Sequence, residues 1–349
     1  MHPYLVRQIR SDLAEIVEAS AKDFAALENS PVVITGSSGF VGTWLTLSLL
    51  EARRQLGVSN EIVLVARNPA SQVELLETAG YSSEFRTIAA DVRSLDEISI
   101  PGEAWFMHAA TPARATLNNS NPLEMIDIVV GGQKNVLDIA VNRSSRGVLF
   151  MSSGAVYGRQ PMDLAGFRED WTGAPDIGLP ANAYHEAKRM AELMGNTVQA
   201  STELSFVSAR LFAFLAPFLP LNEHFAAGNF LGDALGRRQI HIGSGGGSIR
   251  SYQYGTDMAI WLWALLARGK SGSAYNVGSD EEITIRDLAH KIHELSASNS
   301  GVHIAGVDTA ENVSRYVPDI SRCYSHLGLS NEIQLSDAIL RTLSWNREL

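Results

Sequence analysis

The sequence is poor in cysteine, in positive charge and in long apolar runs, and each shortage excludes a class of protein. Its single cysteine, Cys323, cannot form a disulfide within the chain. No apolar run approaches the length of a membrane span, so no membrane association is expected. The 28 basic residues are outnumbered by 38 acidic ones, and the formal net charge of -10 argues against nucleic acid or an anionic membrane as a partner. Residues 1–13 carry several charges and lack the apolar core of a signal peptide, so we expect a cytoplasmic protein.

A glycine-rich stretch follows a short apolar run and organises the rest of the chain. Residues Val32 to Ile34 are typical of a buried parallel strand, and apolar residues recur at helical spacing just after the glycines. Gly36 permits a tight turn, Gly39 admits a pyrophosphate, and Gly42 lets the helix pack against the strand. A glycine triplet also occurs in ordinary loops, but the flanking strand and helix favour a dinucleotide site.

The length of 349 residues and the hydrophobic content of 45% allow a large α/β domain with a second lobe. Apolar residues from Leu5 to Leu27 recur at helical spacing, so residues 1–29 are predicted to form an N-terminal helical extension. We predict a Rossmann-type doubly wound parallel sheet over residues 30–200 and a smaller mixed lobe, which binds substrate, over residues 201–349.

The second predicted strand decides the cofactor. The segment from Glu61 to Pro69 reads as a strand that ends where the adenosine ribose of a dinucleotide lies. An acidic residue there would accept hydrogen bonds from the ribose of NAD, whereas Arg67 can pair with the 2′-phosphate of NADP. NADP(H) is therefore favoured, and NAD(H) remains the alternative.

The next two predicted strands complete the cofactor edge of the sheet. Asp91, which ends the third strand, is predicted to bind the adenine amino group. Ala109 and Ala110 end the fourth strand and are small enough to let it lie close to the cofactor. His108 is predicted to be a packed structural histidine. A loop is predicted at residues 118–122, with a long helix from Leu123 to Val141.

A tyrosine and a lysine at helical spacing follow a strand that ends in two serines. Tyr184 and Lys188 are four residues apart and share one helix face, where an ammonium near the phenol is predicted to lower the tyrosine pKa. A serine at the end of the strand from Gly147 to Ser153 could orient a substrate oxygen while Tyr184 transfers its proton.

Together these motifs resemble the extended short-chain dehydrogenases/reductases of the nucleotide-sugar epimerase/dehydratase group, from Val32 to the C-terminus. The motifs are the glycine triplet, Asp91-Val92, His108-Ala109-Ala110, Ser152-Ser153-Gly154-Ala155-Val156-Tyr157-Gly158 and Tyr184-x-x-x-Lys188. The resemblance implies a catalytic set of Ser153, Tyr184 and Lys188, with no metal, and segments of the second lobe that return to the large sheet. The predicted cofactor-binding residues are Gly36, Ser38, Gly39, Phe40, Val41, Gly42, Arg67, Asp91, Val92, Ala109, Ala110, Thr111, Tyr184 and Lys188.

The second half of the chain resembles the part of this group that binds a nucleotide-diphosphate sugar. The resemblance implies that Asn229 and Phe230 lie beside the substrate nucleotide, and that Arg250 grips the diphosphate with Arg315 as a second arginine. Guanidinium groups suit a diphosphate because each presents a planar fork of donors. It further implies a homodimer formed through the helices that begin near Leu123 and Tyr184.

Two departures from the family pattern bear on the reaction. Dehydratases of the group carry an Asp-Glu pair after the catalytic hydroxyl and decarboxylases a glutamate, whereas this chain has Gly154 and Ala155. We therefore expect hydride transfer at the sugar C4 with Tyr184 as acid/base, with reduction of a 4-keto sugar favoured. The alternative is a 4-epimerase with tightly bound NAD. A dehydratase or decarboxylase is disfavoured unless Asp163, Glu169 or Asp170 enters the site, and a dinucleotide-binding sensor without turnover stays open.

Overall fold

The computed structural model describes residues 3–82, 84–111, 115–223, 225–298, 300–310 and 312–347. Residues 1 and 2 of the predicted N-terminal extension lie outside these ranges. In the described ranges the strands are β1 Val32–Thr35, β2 Ile62–Ala66, β3 Arg86–Ala89, β4 Trp105–His108, β5 Gly147–Ser153, β6 Ser205–Leu211, β7 Phe214–Leu215, β8 Ile240–Ile242, β9 Ile249–Ser251, β10 Gln253–Tyr254, β11 Ser273–Val277, β12 Glu282–Thr284, β13 Val302–Ile304 and β14 Arg315–Tyr316.

The helices alternate with these strands through the first half of the chain. They are α1 Pro3–Ala19, α2 Ala21–Ala26, α3 Phe40–Leu56, α4 Ala70–Thr78, α5 Ala115–Ser120, α6 Pro122–Ile126, α7 Gly132–Asn142, α8 Ala183–Ser201, α9 Ala226–Leu235, α10 Gly255–Arg268, α11 Ile285–Ser296, α12 Ser321–Leu327 and α13 Leu335–Arg347. Short 3-10 turns occur at Val92–Ser94, Glu97–Ser99, Gly154–Tyr157 and Pro180–Asn182.

Seven strands in the described ranges form one parallel sheet in the order β11-β6-β5-β4-β1-β2-β3. Every residue of β1, β2 and β5 is buried, as expected for strands covered by helices on both faces. The chain moves outward from β1 to β3, then crosses to β4 and moves the other way, so the order reverses between β1 and β4. Ligands of such sheets bind at the carboxyl edge beside this reversal. The predicted fold class is confirmed.

The helical extension is packed on the large domain. Asp12 on α1 accepts a hydrogen bond from the Tyr254 hydroxyl at 2.7 Å and pairs with Arg341 on α13 at 2.7 Å. Asp23 on α2 pairs with Arg268 at the end of α10. Burial raises the pKa of Asp12 to about 6, against the lowering effects of Tyr254 and Arg341. The extension therefore joins segments that are far apart in the sequence.

The predicted helix from Leu123 is interrupted, and part of the predicted loop before it is helical. The described residues form α5 at Ala115–Ser120, and α6 passes through a π-helical turn at Asp127–Gly131 before α7 begins. Asp127 in this turn pairs with Arg93, which anchors the widened turn to the segment after β3. No helix in the described part of the chain combines the length and apolarity needed to cross a membrane.

Beyond α8 the chain both completes the large sheet and builds the second lobe. Strands β6 and β11 join the large sheet, whereas β12, β9 and β14 form a separate sheet of three strands in that order. In this small sheet Arg250 is paired with Tyr316, and Ile249 with Arg315. Because paired residues of neighbouring strands lie on the same face, Arg250 and Tyr316 share one face and Arg315 lies on the other. The predicted domain boundaries remain a prediction.

Candidate active site

The glycine turn joins β1 to α3, and its three glycines differ in how closely other atoms surround them. Gly36 has a φ of +68°, and a Cβ there would lie 2.5 Å from the Ala109 carbonyl oxygen. A Cβ at Gly42 would collide with the backbone of Gly36. At Gly39 a Cβ would meet a single atom within 4 Å, the Gly36 oxygen at 3.3 Å, so this position is less crowded than the other two. The surroundings of Gly36 and Gly42 agree with a tight turn and close packing, and the role of Gly39 toward a pyrophosphate stays a prediction.

The amide groups at the start of α3 are oriented for an anion. Gly39 is the N-cap and has no side-chain capping bond, so the amides of Phe40 and Val41 have no partner within the helix. Ser38, Gly39 and Phe40 also line a cavity of about 220 Å³. A pyrophosphate is the ligand that this combination of amides, helix dipole and space fits, so a dinucleotide suits the residues present.

Arg67 and Asp91 lie at the ends of neighbouring strands, where the adenosine half is expected. Arg67 is exposed directly after β2 and contributes to the field at Asp91. Asp91 caps the turn at Val92–Ser94 and accepts hydrogen bonds from the side chain of Arg93 at 2.9 and 2.8 Å. Hydrogen bonding from Arg93 lowers the pKa of Asp91 to about 2. The carboxylate stays charged and oriented by Arg93.

At the other end of the dinucleotide site, Lys188 connects the ends of β4 and β5. Its ammonium donates to Thr111 Oγ1 at 3.0 Å and to the carbonyl oxygen of Met151 at 2.5 Å. The side chain is buried, which lowers the pKa of Lys188 to about 7, while Glu192 one turn along α8 opposes this effect. Lys188 can therefore lose or hold a proton near neutral pH.

Ser153 and Tyr184 are brought together as predicted. Burial raises the pKa of Tyr184, and hydrogen bonding from the Ser153 hydroxyl acts in the opposite direction. The prediction that Lys188 lowers this pKa is wrong, because the ammonium is directed at Thr111 and Met151. Its nitrogen lies 5.8 Å from the centroid of the Tyr184 ring.

His108 is buried and packed, as expected for a structural histidine. Its Nδ1 lies 2.6 Å from Thr35 Oγ1, and its ring packs against Phe150 with the centroids 5.6 Å apart. Burial, reinforced by the charge of Lys188, lowers the pKa of His108 to about 3. The ring is therefore neutral and belongs to the core.

Arg250 lies on the face of β9 that it shares with Tyr316. Its guanidinium donates to the Ser314 carbonyl oxygen at 3.1 Å and to Ser314 Oγ at 3.0 Å. No carboxylate among the described residues pairs with it, and burial lowers its pKa. A partly buried arginine held by neutral acceptors is suited to an anionic ligand.

Two of the predicted substrate residues are engaged elsewhere. Arg315 forms an ion pair with Glu282 and donates to the Ala165 carbonyl oxygen at 2.8 Å, on the face opposite Arg250. Phe230 on α9 is 3% exposed and packs in the main core. Its neighbour Asn229 is only partly buried. The structure does not bring Arg315 or the Phe230 ring together with the other site residues.

Sequence reasoning missed Tyr316, whose hydroxyl lies at the site. The ring packs on Phe212 with centroids 4.6 Å apart, and the hydroxyl donates to the Leu211 carbonyl oxygen at 3.4 Å. A Cβ at Gly154 would lie 2.6 Å from the Tyr316 hydroxyl oxygen and 2.6 Å from the tip of Phe212. No local motif reports this residue, because a long-range strand pairing places it here.

None of the acids considered for the site contacts Ser153 or Tyr184 within the described ranges. Glu169 accepts a hydrogen bond from the Asn276 backbone and pairs with Arg322. Asp170 is paired with Arg168, and Asp163 is exposed. The described residues also contain no group of three or more metal-ligating side chains.

The sheet, the glycine turn and the Ser153–Tyr184–Lys188 set define an extended short-chain dehydrogenase/reductase. More narrowly, the chain belongs to the NAD dependent epimerase/dehydratase family, whose model matches residues 32–278.

Curated relatives include UDP-glucuronic acid decarboxylase 3 of Arabidopsis thaliana. That protein is 27% identical over 312 residues, which cover 89% of this chain and 87% of the relative. UDP-glucuronic acid decarboxylase 1 of Danio rerio is 27% identical over 319 residues, covering 91% of this chain and 73% of the relative.

Two solved structures are similar in fold. A UDP-N-acetylglucosamine 4-epimerase from Methanobrevibacter ruminantium, in complex with UDP-N-acetylmuramic acid, has a TM-score of 0.80 at 20% identity and covers 92% of this chain and 99% of its own. A dTDP-glucose 4,6-dehydratase from Streptomyces venezuelae with NAD bound has a TM-score of 0.78 at 21% identity, covering 91% and 97%.

Proposed function

We propose that this chain is a NAD(P)-dependent enzyme that acts at C4 of the sugar in a nucleotide-diphosphate sugar, most readily as a reductase of a 4-keto sugar. The observation that carries the proposal is the meeting of Ser153 and Tyr184 at the carboxyl edge of the sheet, with Lys188 beneath them and no carboxylate of the described ranges in contact. Two hydroxyls and a lysine suffice for chemistry at a carbinol or carbonyl carbon.

Each of the three side chains has its own proposed role in the reaction. Tyr184 gives its proton to the substrate oxygen as a carbonyl is reduced, or takes it when a hydroxyl is oxidised. Ser153 holds that oxygen by a hydrogen bond, and Lys188 favours the phenolate when its ammonium turns toward the tyrosine. A nicotinamide cofactor supplies or accepts the hydride when it is bound at this edge.

The surroundings of Gly154 argue against elimination or other chemistry at a neighbouring ring carbon. Dehydratases of the group resembled here carry an acid at this position. The Tyr316 hydroxyl and the Phe212 ring already fill the space that a side chain on Gly154 would enter. Glu169 is tied to Arg322, and the part of the chain that the structure describes brings no other carboxylate to Ser153 and Tyr184 to remove or return a carbon-bound proton.

Arg250 supports a diphosphate as part of the substrate. It is partly buried and lacks an acidic partner among the described residues, so an anionic ligand would relieve the cost of its burial. A fold neighbour is named as a complex with UDP-N-acetylmuramic acid, which is a nucleotide sugar of this chemical kind.

For the cofactor, Arg67 favours NADP(H). It is exposed at the end of β2, where its guanidinium is available to pair with a 2′-phosphate. NAD(H) is the alternative, in keeping with the family description and with the NAD in one fold neighbour.

Two other reactions remain candidates. A 4-epimerase uses the same residues and would keep its cofactor bound through the cycle. Decarboxylation of a nucleotide-sugar acid is favoured by the relatives named UDP-glucuronic acid decarboxylase. Ala155, however, supplies no glutamate where the family's decarboxylases carry one.

A homodimer is proposed through α6 and α8. These helices contact each other and expose large apolar side chains that a partner copy would cover. The most exposed are Leu123 at 76%, Met190 at 48% and Leu193 at 59%.

The proposal is tested with a panel of UDP-, dTDP- and GDP-linked sugars, 4-keto sugars and UDP-glucuronic acid, each with NADPH or NAD⁺. We expect NADPH oxidation with a 4-keto sugar, whereas interconversion of 4-epimers with NAD⁺ would favour the epimerase and CO₂ release the decarboxylase. Tyr184→Phe should abolish turnover and leave cofactor binding near normal, because only the proton-carrying hydroxyl is lost. Tyr324→Phe is the matched control, since Tyr324 is 67% exposed on α12. An active Tyr184→Phe enzyme would refute the mechanism.

A further inference from the structure

A buried glutamine on α4 binds the glycine turn through its side-chain amide. Gln72 forms two reciprocal hydrogen bonds with Ser37, which is also buried and lies inside the turn. Gln72 Nε2 donates to the Ser37 carbonyl oxygen at 2.6 Å, and the Ser37 hydroxyl donates to Gln72 Oε1 at 2.7 Å. Gln72 Nε2 also lies 3.4 Å from Thr46 Oγ1 on α3. Only a side-chain amide offers two donors and an acceptor on one neutral group of this length.

These contacts attach the loop after β2 to the glycine turn at both ends of the loop. Before the loop, the Val65 carbonyl oxygen accepts from the amides of Gly36 at 2.9 Å and Ser37 at 3.2 Å. After the loop, Gln72 in the first turn of α4 binds Ser37 from the other side. The loop itself, residues 67–69, is short and ends in a proline, whose ring fixes its own φ and restricts the residue before it. The Val65 and Gln72 contacts therefore set the distance between this loop and the turn.

The loop and the turn are the two places where the adenosine half of the dinucleotide is expected to bind. Arg67 opens the loop and is proposed to pair with the 2′-phosphate, whereas Gly39 in the turn is proposed to admit the pyrophosphate. Gln72 lines the same cavity as Ser38 and Gly39, so it lies between the two places. A ligand held at two points gains from both only when their spacing matches its own, so a loosened spacing weakens binding even where each contact survives.

We propose that Gln72 is a positioning residue for the dinucleotide, which holds the glycine turn and the Arg67 loop at the spacing that one NADP(H) molecule spans. It acts through Ser37 and not by touching the ligand. The effect on binding rests on the proposed function, whereas the attachment of the turn to α4 does not.

The binding test compares Gln72→Leu with Gln133→Leu, a matched change at another buried glutamine. Gln133 lies on α7, and its Nε2 donates to the Ala191 carbonyl oxygen at 3.3 Å. Each protein is titrated with NADPH and with adenosine 2′-monophosphate, which reaches the Arg67 end alone. For Gln72→Leu we expect NADPH affinity to fall at least about tenfold and affinity for the fragment to change by less than about twofold. Gln133→Leu should alter neither. Unchanged NADPH binding in Gln72→Leu, or an equal loss for the fragment, would overturn the proposal.

A second test needs no cofactor and includes a milder variant. Ser37→Ala removes only the hydroxyl half of the pair and leaves the Gln72 bond to the carbonyl oxygen in place. Hydrogen exchange followed by mass spectrometry reports the amides of residues 36–41. We expect faster exchange of this segment in Gln72→Leu and in Ser37→Ala, and the wild-type rate in Gln133→Leu.

Wild-type exchange of residues 36–41 in both Gln72→Leu and Ser37→Ala would show that Gln72 does not hold the turn, and would overturn the proposal. Failure of the unmodified protein to bind either NADPH or NADH would refute the proposed function, and the exchange result would still decide whether Gln72 holds the turn.

Discussion

Alanine substitution at Gly36 and Gly39 should separate the glycine that the fold requires from the glycine that the cofactor requires. At Gly36 an alanine meets two penalties. The positive φ costs an L-residue about 1–2 kcal/mol, and overpacking against backbone costs roughly 1–3 kcal/mol. A Cβ there would lie 2.5 Å from the Ala109 oxygen and 2.7 Å from the Ala110 Cα, both of them backbone atoms that cannot turn away. We expect a loss of about 2–5 kcal/mol in the free energy of unfolding.

Gly57 provides the control for strain alone. Its φ of +72° is close to that of Gly36, but no atom lies within 4 Å of a Cβ built on it. Gly57→Ala should therefore cost only about 1–2 kcal/mol, and the difference from Gly36→Ala measures the collision with β4.

Gly39→Ala should behave in the opposite way. Its Cβ would meet only the Gly36 oxygen, at 3.3 Å, so the expected loss of stability is under about 1 kcal/mol. The methyl group would occupy the space predicted for the pyrophosphate, and we expect dinucleotide affinity to fall at least about tenfold, or 1.4 kcal/mol. Urea unfolding measures the loss of stability, and calorimetric titration with NADPH and NADH measures the dinucleotide affinity. Wild-type affinity in Gly39→Ala, or equal stability of Gly36→Ala and Gly57→Ala, would refute the reasoning.

Three further predictions test other parts of the molecule. Arg67→Asp should weaken NADP binding far more than NAD binding, with Arg146→Asp at the amino end of the sheet as control; equal effects on both cofactors would exclude a contact with the 2′-phosphate. Because burial raises the pKa of Asp12 to about 6, its ionisation disfavours the folded state as pH rises from about 4 to 6. As the pH rises from 4 to 7, the free energy of unfolding of Asp12→Asn should therefore gain up to about 3 kcal/mol relative to that of the wild type, measured by urea unfolding. A difference between the two proteins that does not change with pH would contradict this. Leu193→Glu should give a monomer in sedimentation while Leu340→Glu, at a side chain 43% exposed on α13, should not; a dimer in both would place the interface elsewhere.

The parts of the fold that the sequence predicts correctly are encoded locally. Strands β1, β2 and β5 are continuous apolar runs, and the glycine turn and the Tyr184–Lys188 spacing each lie within a few residues of one another. Such features need no knowledge of distant contacts. Loops and short elements are less well determined, which is why the π-helical turn at Asp127–Gly131, anchored by Arg93 from a distant segment, was missed.

The substrate half of the site depends on long-range pairing. Arg315 and Tyr316 are adjacent in sequence, yet their pairing with β9 places them on opposite faces of a small sheet. A motif suggested Arg315, whereas the register places the Tyr316 hydroxyl against Gly154. Strands of two and three residues carry too little hydrophobic pattern for this register to be read from the sequence.

The most direct test of hydride chemistry confined to C4 is to run the reaction in D₂O and analyse the product by mass spectrometry and NMR. The account predicts turnover with no deuterium bound to any ring carbon, because none of the acids considered for the site contacts Ser153 or Tyr184 among the described residues. Deuterium at a ring carbon would show that an acid or base acts there, as a dehydratase or decarboxylase requires, and would contradict the account.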